Sequence, residues 1–176
     1  MVNLFLSMRT EDPFAVLGLP RVYALDRAEI ERKYLTRVAE MHPDLVGADA
    51  MGAMGADDMH VAGKVSALNE AKHVLEDPEK RAIALWKLLG GVDDNALPEG
   101  FLMEMMEVRQ EIEGVSTDPE RARWEAWVEA RRGEYERRVA ALFAKVDAGR
   151  ANPDVLKAVK VELNAWRYVE RLAEQL

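Results

Sequence analysis

Met41-His42-Pro43-Asp44-Leu45 is a polar tripeptide held between two helical patterns. Upstream, Asp26-Arg27-Ala28-Glu29 has the spacing of an acidic capping box, and Ile30, Tyr34, Val38 and Met41 follow at helical intervals. These predict a helix over 27–41. Pro43 disfavours the α region for the residue before it, so the chain leaves the helix at His42 and carries the imidazole and the Asp44 carboxylate on a turn. The Leu45 to Asp58 stretch is rich in Gly, Ala and Met, costs entropy to order and has little to pack, so it reads as a mobile loop. A second amphipathic pattern begins near Met59 and places Val61, Val65, Leu68, Ala71 and Leu75 on one face. The two segments are expected to pair antiparallel, with the tripeptide at the crossing.

Composition limits what such a chain can do. With 176 residues and 49% hydrophobic content it can bury a real core, as one domain or two small ones. A net charge of −8 and a pI near 5.0 oppose nucleic-acid or anionic-membrane binding, which require clustered Lys and Arg. There is no cysteine, hence no disulfide, thiolate metal site or Cys nucleophile. Met1 to Thr10 lacks the pattern of a secretory signal, and no apolar run reaches the roughly 18 residues of a membrane span. The expected compartment is the cytoplasm.

Helix starts are marked by an Asp or Asn before Pro, which supplies an N-cap and then an N1 residue with no N–H to satisfy. Asp12-Pro13, Asp77-Pro78, Asp118-Pro119 and Asn152-Pro153 all have this form. Strand alternation is absent, so the fold class is all-α. A short helix over 13–17 ends at Gly18-Leu19-Pro20. A helix from Pro78, carrying Ala82, Leu85, Leu88 and Leu89, stops at Gly90-Gly91. The polar stretch 92–97 reads as a connector between an N-terminal domain, 1–91, and a C-terminal domain, 98–176. In the latter, segments near 98–113, 119–147 and 153–175 are expected to form an antiparallel three-helix bundle. Trp124, Val128, Tyr135, Val139, Leu142 and Val146 make one stripe, and Val155, Val159, Leu163, Trp166, Val169 and Leu172 another. Phe101, Met105, Val108 and Ile112 are enough to bury one face of the first segment, leaving Leu102, Met103 and Met106 at or beyond its edge.

His-Pro-Asp between these helices, together with Asp12-Pro13-Phe14-Ala15-Val16-Leu17-Gly18-Leu19-Pro20 and the run Leu68 to Arg81, resembles the J-domain of DnaJ-type co-chaperones. The resemblance implies that His42, Pro43 and Asp44, with Arg32, Lys33 and Arg37 on the preceding helix, bind a DnaK-type chaperone and stimulate its ATPase. Leu45 stands where many J-domains carry Lys. The stretch Phe101 to Ile112 resembles the first helix of the C-terminal domain of the HscB family, the J-proteins of iron-sulfur cluster assembly. That resemblance covers nearly the whole chain. It implies an HscA-like chaperone partner and an IscU-like scaffold protein bound through Leu102, Met103, Met106 and Glu107, with Tyr168 as the aromatic partner. Gln110 and Gly114 stand where the family tends to have carboxylates. No cofactor, nucleotide or membrane is implied, and the protein is not expected to be an enzyme.

Other readings remain open on the residues alone. A J-protein may serve a different client. His42 with Asp44 has the form of a general base and its orienter, but no nucleophile or oxyanion signature converges on it. Asp44, Asp57, Asp58 and His60 could be gathered by a divalent metal in a metal-dependent enzyme, although they lack a recognised ligand spacing. His73 reads as a helix-surface histidine.

Overall fold

The computed structural model describes residues 11–40, 56–146 and 152–176, with backbone alone for 56–61. Among these residues the chain forms α-helices and no strand: α1 (Pro13–Leu17), α2 (Arg27–Ala39), α3 (Ala56–Glu76), α4 (Pro78–Leu88), α5 (Phe101–Glu113), α6 (Asp118–Phe143) and α7 (Pro153–Ala173). The all-α class follows. Met41 and the loop up to residue 55 lie outside the described residues, and α3 already begins at Ala56, before the expected start near Met59.

The caps show how local sequence sets the helices. Asp12 accepts hydrogen bonds from the N–H groups of Phe14 and Ala15, Asp26 from Ala28, and Asn152 from Asp154. At α6 the cap sits one residue earlier than Asp118. Thr117 accepts from Glu120 N–H while the Glu120 carboxylate accepts from the Thr117 N–H, a reciprocal box that outcompetes a lone Asp. Three donors from Ser116 and Thr117 hold the Glu120 carboxyl below its ordinary range, the Ser116 amide contributing most.

The helices fall into two compact units, one of Met1–Arg21 with Leu25–Asp77 and one of Val22–Ala24 with Pro78–Leu176. In the first, α1 and α2 both pack on α3. Among the described residues Phe14, Leu17, Leu19, Ile30, Leu68, Ala71 and Leu75 are buried in it, while Tyr34, Val38 and Val65 are only half-buried. Polar ties span α2 and α3: Tyr34 Oη donates to Asn69 Oδ1 at 2.7 Å, and Lys72 pairs with Glu31 and lies over the Tyr34 ring.

In the second unit α6 and α7 pack along their length, with α4 and α5 against α7. By packing, α4 goes with the second unit, because it faces α7. Trp86 and Arg81, neither expected in the core, are buried beside Ala82 and Leu85, and Leu88 is exposed instead. Phe143 takes the inward position expected of Leu142 and stacks on Tyr23 with centroids 5.4 Å apart; Leu156 likewise replaces Val155. Each falls one residue further along its helix than the stripe predicts. Across α6 and α7, Arg132 grips Glu170 with two bonds of 2.7 and 2.6 Å, and Trp166 Nε1 adds a third at 3.1 Å. The Arg132 guanidinium chiefly holds the Glu170 carboxyl below its usual range against the opposing effect of burial.

α4 ends in a Schellman turn. Gly91 N–H donates to Trp86 O and Gly90 N–H to Lys87 O, both at 3.0 Å, with Gly90 left-handed at φ 82°. Gly91 is required for another reason: a Cβ there would lie 2.1 Å from Trp86 Cε2. Replacing Gly91 by Ala must displace a buried indole and is expected to cost about 1–3 kcal/mol. Gly63 in α3 has open space around it, so Gly63→Ala should be stabilising by about 0.5–1 kcal/mol through helix propensity. Chemical denaturation of the two variants checks the contrast.

Candidate functional site

Two faces carry the candidate residues, one in each unit. On α2, Arg32 is exposed, Lys33 is half-buried, and neither makes an ion pair among the described residues. Arg37 is placed differently. Its Nη1 pairs with Glu40 at 3.1 Å, and its guanidinium rests on the α1 turn, where a Cβ on Gly18 would come within 2.9 Å of Nη2. Part of its charge is thus committed to the fold. Leu35, which the sequence reading did not single out, stands 56% exposed one turn after Arg32 and gives this face an apolar element. Its signal was available as a Leu off the Ile30, Tyr34, Val38 stripe. His42, Pro43 and Asp44 lie outside the described residues.

On α5 the division between faces is complete. Phe101, Met105, Val108 and Ile112 are buried, as their spacing requires. Leu102, Met103 and Met106 are 53%, 70% and 68% exposed, and Glu107 is exposed with them. Three large apolar side chains held in water on one short helix cost free energy that only a partner recovers. Two of them are methionines, whose unbranched, polarisable chains adapt to an opposing surface. The Phe101 ring meets Tyr168 of α7 edge to face, centroids 5.6 Å apart, so Tyr168 adjoins the start of this row. Gln110 and Gly114 continue the exposed side without charge. Arg131 pairs with Glu104, and Arg123 with Glu111 at 3.3 Å, tying α5 to α6 along its other flank.

The described residues offer no cluster of three metal-ligating side chains. Asp44 lies outside them, as do the side chains of Asp57, Asp58 and His60. His73 is exposed on α3. No helix among the described residues is long and apolar enough to cross a membrane.

Comparison with known proteins gives these faces a context. A DnaJ domain family model matches residues 12–84, and one for the HSCB C-terminal oligomerisation domain matches residues 97–176. A J-domain followed by a dedicated helical domain defines a J-domain co-chaperone. The co-chaperone protein HscB homolog of Paraburkholderia phymatum is 32% identical over 93% of this chain and 90% of its own length. That of Bordetella pertussis is 31% identical over 96% of both. This chain belongs to the HscB family. Its fold resembles the crystal structure of human co-chaperone protein HscB, with TM-score 0.75 at 21% identity over 94% of this chain and 80% of that one. It also resembles chaperone HscB from Vibrio cholerae, with TM-score 0.67 at 22% identity over 93% of each.

The exposure pattern on α5 sets a stability test. Replacing Leu102, Met103 and Met106 together by Ala should leave the melting temperature within a few degrees of the wild type, since exposed positions rarely move stability by more than about 0.5 kcal/mol each. Met105→Ala alone, one residue away but buried, should cost about 2–5 kcal/mol. Thermal unfolding followed by circular dichroism separates them.

Proposed function

We propose that this protein couples a DnaK-type chaperone of the HscA kind to an IscU-like iron-sulfur scaffold protein, acting in the cytoplasm. The J-domain stimulates the chaperone's ATPase through His42, Pro43 and Asp44 together with Arg32, Lys33 and Arg37 of α2, and the C-terminal unit presents the scaffold. The observation that carries the reading is the row Leu102, Met103 and Met106, standing in water on a helix whose opposite face is fully packed. Glu107 and Tyr168 border that row and complete the proposed scaffold-binding surface.

The protein holds no nucleotide in this mechanism. It shifts the chaperone toward its hydrolysing conformation only to the extent that it binds that conformation better than others, so the tripeptide must make its contacts selectively there. On α2, Arg32 and Lys33, without an ion pair among the described residues, supply charge for an acidic chaperone surface and Leu35 a desolvated contact, while Arg37 chiefly fixes the helix against the α1 turn. Serving chaperone and client from separate units lets both be held at once, and the local concentration created by the link replaces an independent encounter.

His42→Gln or Asp44→Asn should abolish ATPase stimulation with the melting temperature nearly unchanged, because the turn expected from the sequence at Pro43 keeps both side chains out of the core, and substitutions outside it typically move stability within about 0.5 kcal/mol. The L102A/M103A/M106A variant should lose scaffold binding in calorimetry, since a few apolar residues at an interface centre usually carry most of the binding. Stimulation at the wild-type rate by the tripeptide variants would refute the J-domain half of the reading, and normal scaffold binding by the triple variant the other half.

Reversing Arg32 and Lys33 to Glu should slow association with the chaperone and flatten the dependence of binding on salt. Arg37 is the less clean choice, because its reversal also disturbs the Gly18 turn. Surface plasmon resonance at low and physiological ionic strength reads the effect; identical salt slopes would make this face a solvated one only.

A further inference from the structure

Beside Tyr168 the second unit holds a cleft of about 460 Å³ between the connector after α4 and one face of α7. Lys160, Asn164, Arg167 and Arg171 recur along that face at helical spacing, with Asp93 and Asp94 on the connector side. The groups at the inner end are already engaged. Lys160 pairs with Asp93 at 2.8 Å and lies over the Trp86 ring at 5.0 Å, while Asn164 Nδ2 donates to the carbonyls of Asp94 and Ala96 at 3.1 and 2.9 Å. The outer end is only partly neutralised. Among the described residues Arg167 has a long 3.9 Å contact with Glu79 and a longer-range attraction to Asp93, and Arg171 makes no side-chain ion pair. Two exposed guanidinium groups one turn apart therefore flank Tyr168 on a chain whose net charge is −8.

We infer that the Arg167–Arg171 end of this cleft receives a carboxylate-bearing side chain from the same scaffold segment that covers Leu102, Met103 and Met106. The inference rests on the scaffold-binding reading and adds to it a charged anchor on α7. Three arguments support it. The cleft is continuous with the proposed interface, because Tyr168 lines it and also meets Phe101, the residue before Leu102. Charge complementarity specifies the occupant: a planar guanidinium fork matches a carboxylate in two parallel hydrogen bonds, and a local cationic end on an acidic protein gives an approaching anion a favourable place to settle. Finally, α5 lacks carboxylates at Gln110 and Gly114. Arg167 and Arg171 then add selection of the opposite sign to that of Glu107, so the preferred scaffold presents an acidic group beside its apolar contact.

The test titrates the full-length protein with a purified IscU-type scaffold protein at low and physiological ionic strength. R167E/R171E should weaken binding about tenfold or more and flatten its salt dependence, with R167Q/R171Q intermediate. Wild-type affinity and salt slope in the charge-reversed variant, while L102A/M103A/M106A loses binding, would overturn the cleft inference and leave the scaffold reading standing. Weakened binding in R167E/R171E with normal binding by the triple variant would do the reverse, keeping the cleft as the docking place. Should charge reversal lower the melting temperature, the R167Q/R171Q variant decides by the same criteria.

Discussion

Trp86 is the contact on which the second unit is arranged. Its indole Nε1 donates to the carbonyl of Leu156 on α7 at 3.0 Å in a buried setting, so α4 is hydrogen-bonded as well as packed to the longest-buried helix of that unit. The next turn of chain must then cross the indole face, and only a residue without a side chain fits there, which is the place of Gly91. From that crossing the connector runs along α7, pinned by Asn164 to two of its carbonyls. α5 starts where the connector ends. A single buried hydrogen bond thus fixes the path that brings Phe101 to Tyr168, and with it the location of the exposed row on α5.

The helices were legible because their signals are local. An Asx before Pro, a glycine after the last apolar residue and apolar spacing near 3.6 each act within a turn or two, and the structure follows them at α1, α4 and α7. What was not legible is long-range. Nothing near Val22–Ala24 announces that Tyr23 belongs with Phe143, 120 residues later, and Arg81 reads as a surface charge until Tyr23 is placed 5.0 Å from its guanidinium. The division between units shows the same limit. Whether α4 packs with the helices before or after it depends on Trp86 meeting α7, which no local pattern encodes.

The candidate site divides in a similar way. The exposed face of α5 could be read from the chain, since burying Phe101, Met105, Val108 and Ile112 uses up the inward side and leaves Leu102, Met103 and Met106 in solvent. The basic face of α2 was legible as composition but not as strength, because Arg37 spends itself on Glu40 and the Gly18 turn while Leu35 enters unannounced. The cationic end of the cleft was hidden among ordinary helix charges on α7 and became distinct only when Asp93 took Lys160 and left Arg171 without a counterpart among the described residues.

Phe101 and Leu102 are neighbours in sequence, yet one is in the core and the other is in water. The two roles are separated by nothing more than the 100° that each residue adds around a helix, so the apolar stripe of α5 acts as a rotational phase lock for the outward row. Side-chain substitutions along the row leave that phase untouched. Inserting or deleting a single residue within α5, after Met103, would turn the part of the row beyond it by roughly a quarter of a circle against the stripe that precedes it. The outward positions of α5 can therefore change chemistry one at a time without moving the row, but the number of residues within the helix cannot change.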